Sequence, residues 1–201
     1  MSGQRRAGRI PVRRRTRWGW LWAVLGGVAV VTGIWVAAAG RRGRTPAAAA
    51  MPAVGAPAPA GAFTTVNGRT LNVGDLRGHP ALIWFVATWC PSCQTGTQVL
   101  AQNVDRFSGA GVRVVELELY HDLGGQGPDI ATFGRQFAGS AYGNPDWTWG
   151  TASEGMSFRY DPKGYLDIYY LLDARGGIRY VNGSPGDTMS ALLQQVARIG
   201  G

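Results

Sequence analysis

The stretch FVATWCPSCQTGTQVL, residues 85–100, decides how this chain is interpreted. It joins a continuous apolar run, ALIWFV at 81–86, to a segment with helical character, and both cysteines of the chain lie at the junction. An apolar run of this kind is typical of a strand buried on both faces of a sheet. Cys90 falls at the predicted N-cap and Pro91 at the first helical position, where proline is favoured because its missing N–H would have no partner. The sequence therefore predicts a buried strand followed directly by a helix that begins at a CxxC motif.

The helical position of the two cysteines predicts different roles for them. The free N–H groups of Ser92 and Cys93 point towards the Cys90 sulfur, and with the positive helix end they favour a thiolate there. Cys93 shares a helix face with apolar residues further along the chain (Leu100, Val104 and Phe107), so we expect it in the core and Cys90 at the exposed tip. Cys90 is then the predicted nucleophile and Cys93 the resolving thiol. A purely structural disulfide is the alternative, but so short a loop would constrain almost no chain entropy.

Composition excludes several other kinds of protein. Two cysteines cannot form a disulfide framework, and His79 and His121 lack zinc-finger spacing, so we expect no metal site.

The net charge of +8 comes from the first 44 residues, which hold ten arginines and no acid. The remainder holds ten basic residues and all 12 acids, a net charge of −2. A basic patch that could bind nucleic acid is therefore confined to the tail, and we expect no nucleic-acid partner.

The N-terminal part of the chain predicts a membrane anchor. Residues 18–39 form 22 positions without a charge, which as a helix would span about 33 Å against a hydrocarbon core of about 30 Å. Seven arginines precede this run within the tail 1–17 and three follow it, so the positive-inside rule places the N-terminus in the cytoplasm. A cleaved signal peptide is the alternative, since Ala37-x-Ala39 resembles a cleavage site. Residues 40–61 are rich in Ala, Pro and Gly and are predicted to be a tether.

The segment 62–201 alternates between strand and helix patterns. Asn67-Gly68 predicts a hairpin turn, and a second hairpin is predicted around 174–177, between IYYLLD and IRYVNG. The other predictions are a helix over 91–107, a strand over 112–120, a short helix over 128–138 and a last helix capped by Asp187. Residues 139–165 show no clear repeat of apolar residues. The order β-hairpin, β, α, β, α, β, β, α predicts an α/β domain with a mixed sheet.

WCPSC after an apolar strand resembles the thioredoxin superfamily, and GRTLNVGDLRGHPALIWFVATWCPSC, residues 68–93, resembles its TlpA/ResA class of exported proteins. The resemblance implies a thioredoxin-like fold, with a mixed central sheet flanked by helices, and no organic cofactor. It implies thiol–disulfide oxidoreductase activity on protein thiols or disulfides outside the cytoplasm, with an upstream membrane electron donor or acceptor. Some members of this class reduce apocytochrome c cysteines and others oxidise folding proteins. Trp89, Pro91 and Ser92 complete the motif around the two cysteines.

The chain departs from the family pattern at three places. Reducing members often carry Glu where this chain has Gly96, and thioredoxin has a buried acid in the strand that here is 81–86. Relatives also place a cis-proline before the penultimate strand, where alignment puts Asp167, so we expect a trans bond there.

Five polar residues are candidates for a place around the cysteines. Glu116 or Glu118 could supply the missing acid near Cys93, or could lie on a solvated face. His121 and Asp122 follow the carboxyl end of the strand over 112–120, the edge where sites cluster in α/β proteins. They could lie beside the cysteines, or His121 could be an ordinary loop residue. Asp167 could point at the Cys90 sulfur or into solvent. The alternative function is a copper chaperone that binds metal through both thiolates with His121 or Asp167, because soft thiolates suit Cu(I).

Overall fold

The computed structural model describes residues 50–200. Seven strands and five α-helices make up this part of the chain, joined by three short 3-10 turns at Val73–Leu76, Tyr120–Gly124 and Gly139–Gly143. The strands are β1 (Ala62–Thr65), β2 (Thr70–Asn72), β3 (Ala81–Val86), β4 (Arg113–Glu118), β5 (Trp147–Ala152), β6 (Ile168–Leu172) and β7 (Ile178–Gly183). The helices are α1 (Pro91–Ala101), α2 (Val104–Gly109), α3 (Ile130–Ala138), α4 (Glu154–Tyr160) and α5 (Pro185–Gly200).

All seven strands form one mixed sheet in the order β2-β1-β5-β4-β3-β6-β7. β3 runs parallel to β4 and antiparallel to β6, and all six of its residues are buried, as its apolar run predicted. Its side chains alternate between two cores. Leu82, Trp84 and Val86 pack with α1, α2, α3 and α5, while Ile83 and Phe85 pack with α4 and the Val73–Leu76 turn. The predicted α/β fold with a mixed central sheet flanked by helices is confirmed.

One strand and one helix lie in a segment whose sequence showed no clear repeat of apolar residues. β5 and α4 fall within 139–165, and β5 is an interior strand between β1 and β4. The sequence of β5, WTWGTA, breaks its apolar pattern at Gly150. A side chain at Gly150 would collide with the Thr64 carbonyl of β1. Glycine is therefore needed because the two strands approach closely, a requirement that the pattern of apolar residues does not indicate.

Two helix predictions need correction. The helix predicted over 91–107 is interrupted at Gln102 and Asn103. The Asn103 side-chain amide donates to the Val99 carbonyl at 2.8 Å, and it competes there with the main-chain N–H that would continue the helix. The last helix begins at Pro185 rather than after Asp187. The carbonyl of Ser184 accepts from the Thr188 N–H at 3.0 Å, one turn before the predicted start.

The end of the predicted tether 40–61 packs against the domain. The Gly55 N–H donates to the Ile178 carbonyl at 2.8 Å, and the Ile178 N–H donates to the Ala56 carbonyl at 2.9 Å. The Tyr160 hydroxyl donates to the Pro59 carbonyl at 2.6 Å, and Met51 packs on the α4 side of the sheet. The folded domain therefore begins before residue 62, because satisfied main-chain groups hold this Pro- and Ala-rich stretch in place. The predicted tail 1–17 and transmembrane helix 18–39 lie outside the described residues. Within 50–200, no helix has both the length and the apolarity needed to cross a membrane.

Candidate active site

The two cysteines stand at the start of α1, where the sequence placed them. Cys90 is the N-cap residue with extended backbone angles, φ −82° and ψ 123°, and Pro91 opens the helix. Neither cysteine is in a disulfide. Cys93 is fully buried, as predicted, but Cys90 is also only 2% exposed, so its predicted exposed position is wrong. A turn through Thr88 and Trp89, closed by the Cys90 N–H donating to the Ala87 carbonyl at 3.0 Å, folds Cys90 back onto the strand end.

The surroundings of the two sulfur atoms differ. The Cys90 sulfur lies 3.0 Å from the hydroxyl of Ser92, which can donate to a thiolate. The Cys93 thiol donates to the Leu166 carbonyl at 2.9 Å. Burial, followed by the neighbouring Cys90 thiol, raises the pKa of Cys93 far above its usual value. Cys93 is therefore held as a protonated thiol.

Asp167 follows the residue that touches Cys93. Its carboxylate accepts from the Ser184 hydroxyl at 3.1 Å and its carbonyl accepts from the Ser184 N–H at 3.0 Å, so it is fixed to the start of α5. Its carboxylate is thus bonded to Ser184 and is not free in solvent, and its charge contributes a small part of the raised pKa of Cys93. Every peptide bond within residues 50–200 is trans, including the one before Asp167, as expected.

Glu116 is a buried acid that contacts α1 through Thr97. It is fully buried on β4, directly opposite Trp84 of β3. Thr97 Oγ1 lies 2.8 Å from Glu116 Oε1 and 3.0 Å from the Cys93 carbonyl. The Thr97 hydroxyl has one hydrogen, which it shares between these two acceptors if Glu116 is ionised. A protonated Glu116 can instead donate to Thr97 and leave that hydrogen for the Cys93 carbonyl. Burial raises the pKa of Glu116 well above its usual value, which favours the neutral acid that can act as this donor.

Glu118 and His121 are not brought to the cysteines. Glu118 is half-buried, and burial, then the charge of Asp122, raises its pKa to about 7. His121 is exposed, with its ring 4.1 Å from that of Tyr120. The residue that does contact the cysteine loop is Asp122, whose carboxylate accepts from both the N–H and the hydroxyl of Thr88 at 2.7 Å. Its position after the carboxyl end of β4 was the only signal for it in the sequence.

The structure gives a steric reason for one departure from the family pattern. A side chain at Gly96 would come within 2.8 Å of the Trp84 ring. Trp84 occupies the strand before the motif, where thioredoxin has its acid, and it fills the space that a glutamate at position 96 would need. Glu116 on the neighbouring strand is the buried carboxyl group beneath α1 instead.

Among residues 50–200 there is no group of three or more His, Cys, Asp or Glu side chains arranged to hold a metal ion. Of the side chains proposed as metal ligands, Cys90 and Cys93 are both free thiols, the His121 ring contacts that of Tyr120, and the Asp167 carboxylate is bonded to Ser184.

Comparisons with known proteins found similar sequences and folds. A sequence model of the AhpC/TSA family matches residues 54–120. The thiol:disulfide interchange protein DsbE of Pseudomonas fluorescens biotype C is 46% identical over 54 residues, which are 26% of this chain and 30% of that protein. The chain thus matches under a third of that curated relative.

Solved structures show the same fold at low identity. A Chlorobium tepidum protein described as a candidate thiol:disulfide interchange protein DsbE is 22% identical, with a TM-score of 0.60 over 76% of this chain and 100% of the other. Mycobacterium tuberculosis DsbF, in mixed oxidised and reduced forms, is 20% identical, with a TM-score of 0.53 over 69% and 93%. Arabidopsis thaliana ScoI with copper bound is 18% identical, with a TM-score of 0.51 over 73% and 99%. The described part of this chain therefore has a thioredoxin-like fold.

Proposed function

We propose that this protein is an extracytoplasmic thiol–disulfide oxidoreductase that exchanges disulfides with protein substrates through Cys90 and Cys93. The observation that carries the proposal is the asymmetry of the pair at the start of α1. Cys90 has the Ser92 hydroxyl at its sulfur, a group that can donate to a thiolate, whereas Cys93 is a buried thiol that donates to the Leu166 carbonyl. This arrangement suits one thiol that attacks and a second that is held in reserve. The local match to a thiol:disulfide interchange protein supports the same reaction.

The reaction follows from these two roles. The Cys90 thiolate attacks one sulfur of a substrate disulfide, the substrate S–S bond breaks, and a mixed disulfide forms as one substrate thiolate leaves. Cys93 then loses its proton and attacks the Cys90 sulfur. The mixed disulfide breaks, the second substrate thiolate leaves, and Cys90 and Cys93 become a disulfide. Two electrons have passed to the substrate, and the reverse sequence oxidises a dithiol.

Of the two directions, we favour reduction slightly, in a role like that of cytochrome c maturation proteins. The resemblance to the TlpA/ResA class and the neutral Pro91-Ser92 pair between the cysteines support it. Reduction requires a potential nearer the thioredoxin value of about −270 mV than the DsbA value of about −120 mV. Equilibrating the full-length protein with glutathione buffers measures it. A potential above about −150 mV would instead support an oxidase.

The proposal includes a single-pass cell-membrane anchor at residues 18–39, with the N-terminus cytoplasmic and the thioredoxin-like domain outside. The arginine distribution around the apolar run supports this orientation. An upstream membrane electron donor or acceptor would then recycle the Cys90–Cys93 pair.

An exchange assay tests the activity directly. The detergent-solubilised full-length protein should catalyse reduction of insulin disulfides by dithiothreitol, and Cys90→Ser should abolish this because the attacking sulfur is lost. Equal activity of Cys90→Ser and parent would refute the proposal. The copper-chaperone alternative makes a different prediction. It requires a stoichiometric Cu(I) complex of the reduced protein that is lost in both cysteine variants, together with no exchange activity.

A further inference from the structure

The loop that follows β4, residues 119–129, has an unusual backbone. His121, Asp122 and Leu123 have φ of 50°, 53° and 53°, so three consecutive residues with side chains lie in the left-handed region. Such conformations are unfavourable for residues with a Cβ and persist only where surrounding contacts enforce them. The contacts of this loop therefore have to hold its backbone in an unfavourable conformation.

Those contacts lead to the segment immediately before Cys90. The Asp122 carboxylate accepts from Thr88 N at 2.7 Å through Oδ1 and from Thr88 Oγ1 at 2.7 Å through Oδ2. The main-chain carbonyl of Asp122 accepts from the Trp89 indole N–H at 2.8 Å. Asp122 is 7% exposed and Thr88 is fully buried, so water competes little for these bonds. One residue thus holds the main chain, hydroxyl and indole of the two residues that precede the nucleophile.

Two glycines later in the same loop pack closely against Thr88 and Trp89. A Cβ added at Gly125 would overlap the Trp89 indole, and one added at Gly127 would overlap the Thr88 hydroxyl. Trp89 remains 36% exposed on its other side. The turn through Thr88 and Trp89 also sets Cys90, whose N–H closes it on Ala87.

We propose that Asp122 is a positioning residue for Cys90, acting through Thr88 and Trp89. The inference rests on the proposed function, since it concerns the geometry of the attacking sulfur. Asp122 itself does not touch the substrate. Its hydrogen bonds fix the turn that aims the Cys90 sulfur, and the left-handed loop is the backbone that brings its carboxylate to Thr88.

Substitutions at both ends of the hydrogen bonds test this in the full-length protein in detergent. Asp122→Ala should lower the rate of insulin-disulfide reduction and the rate of Cys90 alkylation by iodoacetamide about tenfold, because small displacements of a reacting group are costly. Asp122→Asn keeps an acceptor for the Thr88 N–H and should retain most of both rates. Thr88→Ala should fall between parent and Asp122→Ala, and Thr88→Ser should restore the parent rates.

Asp173→Ala is the matched control, since Asp173 holds a turn in the same way, through the N–H groups of Arg175 and Gly177 at 2.9 Å each. It should alter the urea midpoint without altering either rate. If Asp122→Ala changes only the midpoint, or leaves both rates within about twofold of parent, the proposal is overturned. If Asp122→Ala does not fold, equal rates in Thr88→Ala and Thr88→Ser overturn it. An inactive parent would count against the proposed function instead, while the alkylation rates would still decide the role of Asp122.

Discussion

The environment of each cysteine is set by a few main-chain groups. Cys93 is enclosed by α1, the end of β3 and the Leu166 carbonyl, and its raised pKa follows chiefly from this burial. Cys90 is covered by the turn before the helix but keeps the Ser92 hydroxyl at its sulfur. A difference in function between the two thiols therefore needs no additional charged residue.

Gly96 is required by packing. Gly96→Glu forces a side chain into the Trp84 ring, so we expect a loss of about 1–3 kcal/mol in the free energy of unfolding, measured by urea titration. Gly155→Glu is the matched control, because this helical glycine has open space around it and glutamate is a better helix former. Equal stability of the two variants would contradict the packing account.

At the scale of single elements, β4 carries a buried acid whose ionisation should make stability depend on pH. Burial raises the pKa of Glu116 in the folded state, whereas an unfolded glutamate titrates near 4.3. The unfolded chain therefore releases this proton first, and the stability linked to Glu116 is full below about pH 4 and is lost as pH rises towards the folded pKa.

Glu116→Gln cannot ionise, so its free energy of unfolding should rise relative to parent as pH increases from 4 to about 8. Urea titrations across this range measure the difference. Glu154→Gln, at an exposed position on α4, should follow the parent curve. A Glu116→Gln difference that does not change with pH would mean that Glu116 is ionised in the folded protein.

The elements also show how far the sequence predicts this structure. The strand–helix junction at Cys90, β3, β4 and the β6–β7 hairpin were predictable because apolar runs, proline position and turn residues are local signals. β5 was not, because its position between β1 and β4 depends on close strand approach at Gly150. At the site, Cys93 in the core was predicted correctly. Glu116 was a predicted candidate for the acid near Cys93. Its contact with Thr97 and the contacts of Asp122 with Thr88 could not be predicted, because the partner residues are distant in the sequence.

At the scale of the whole molecule, the sequence divides its charge between a basic tail and a mildly acidic body. We expect a reporter enzyme that works only outside the cytoplasm to be active when fused after Gly201, because the arginine excess holds the N-terminus inside. Moving that excess from 5–17 to 41–50 should reduce the activity. Release of a soluble mature protein that starts near Gly40 would contradict a permanent anchor.

In the domain within 50–200, the cysteine pair lies just after the carboxyl end of the buried strand β3. It is flanked by α1 and by the loop that follows β4. The central claim is that Cys90 attacks and Cys93 resolves. Mass spectrometry of the full-length variants after reaction with a disulfide substrate tests it most directly. Cys93→Ser should accumulate a mixed disulfide at Cys90, because no thiol remains to release it, and Cys90→Ser should accumulate none. A mixed disulfide trapped on Cys93 in Cys90→Ser, with none in Cys93→Ser, would contradict the account.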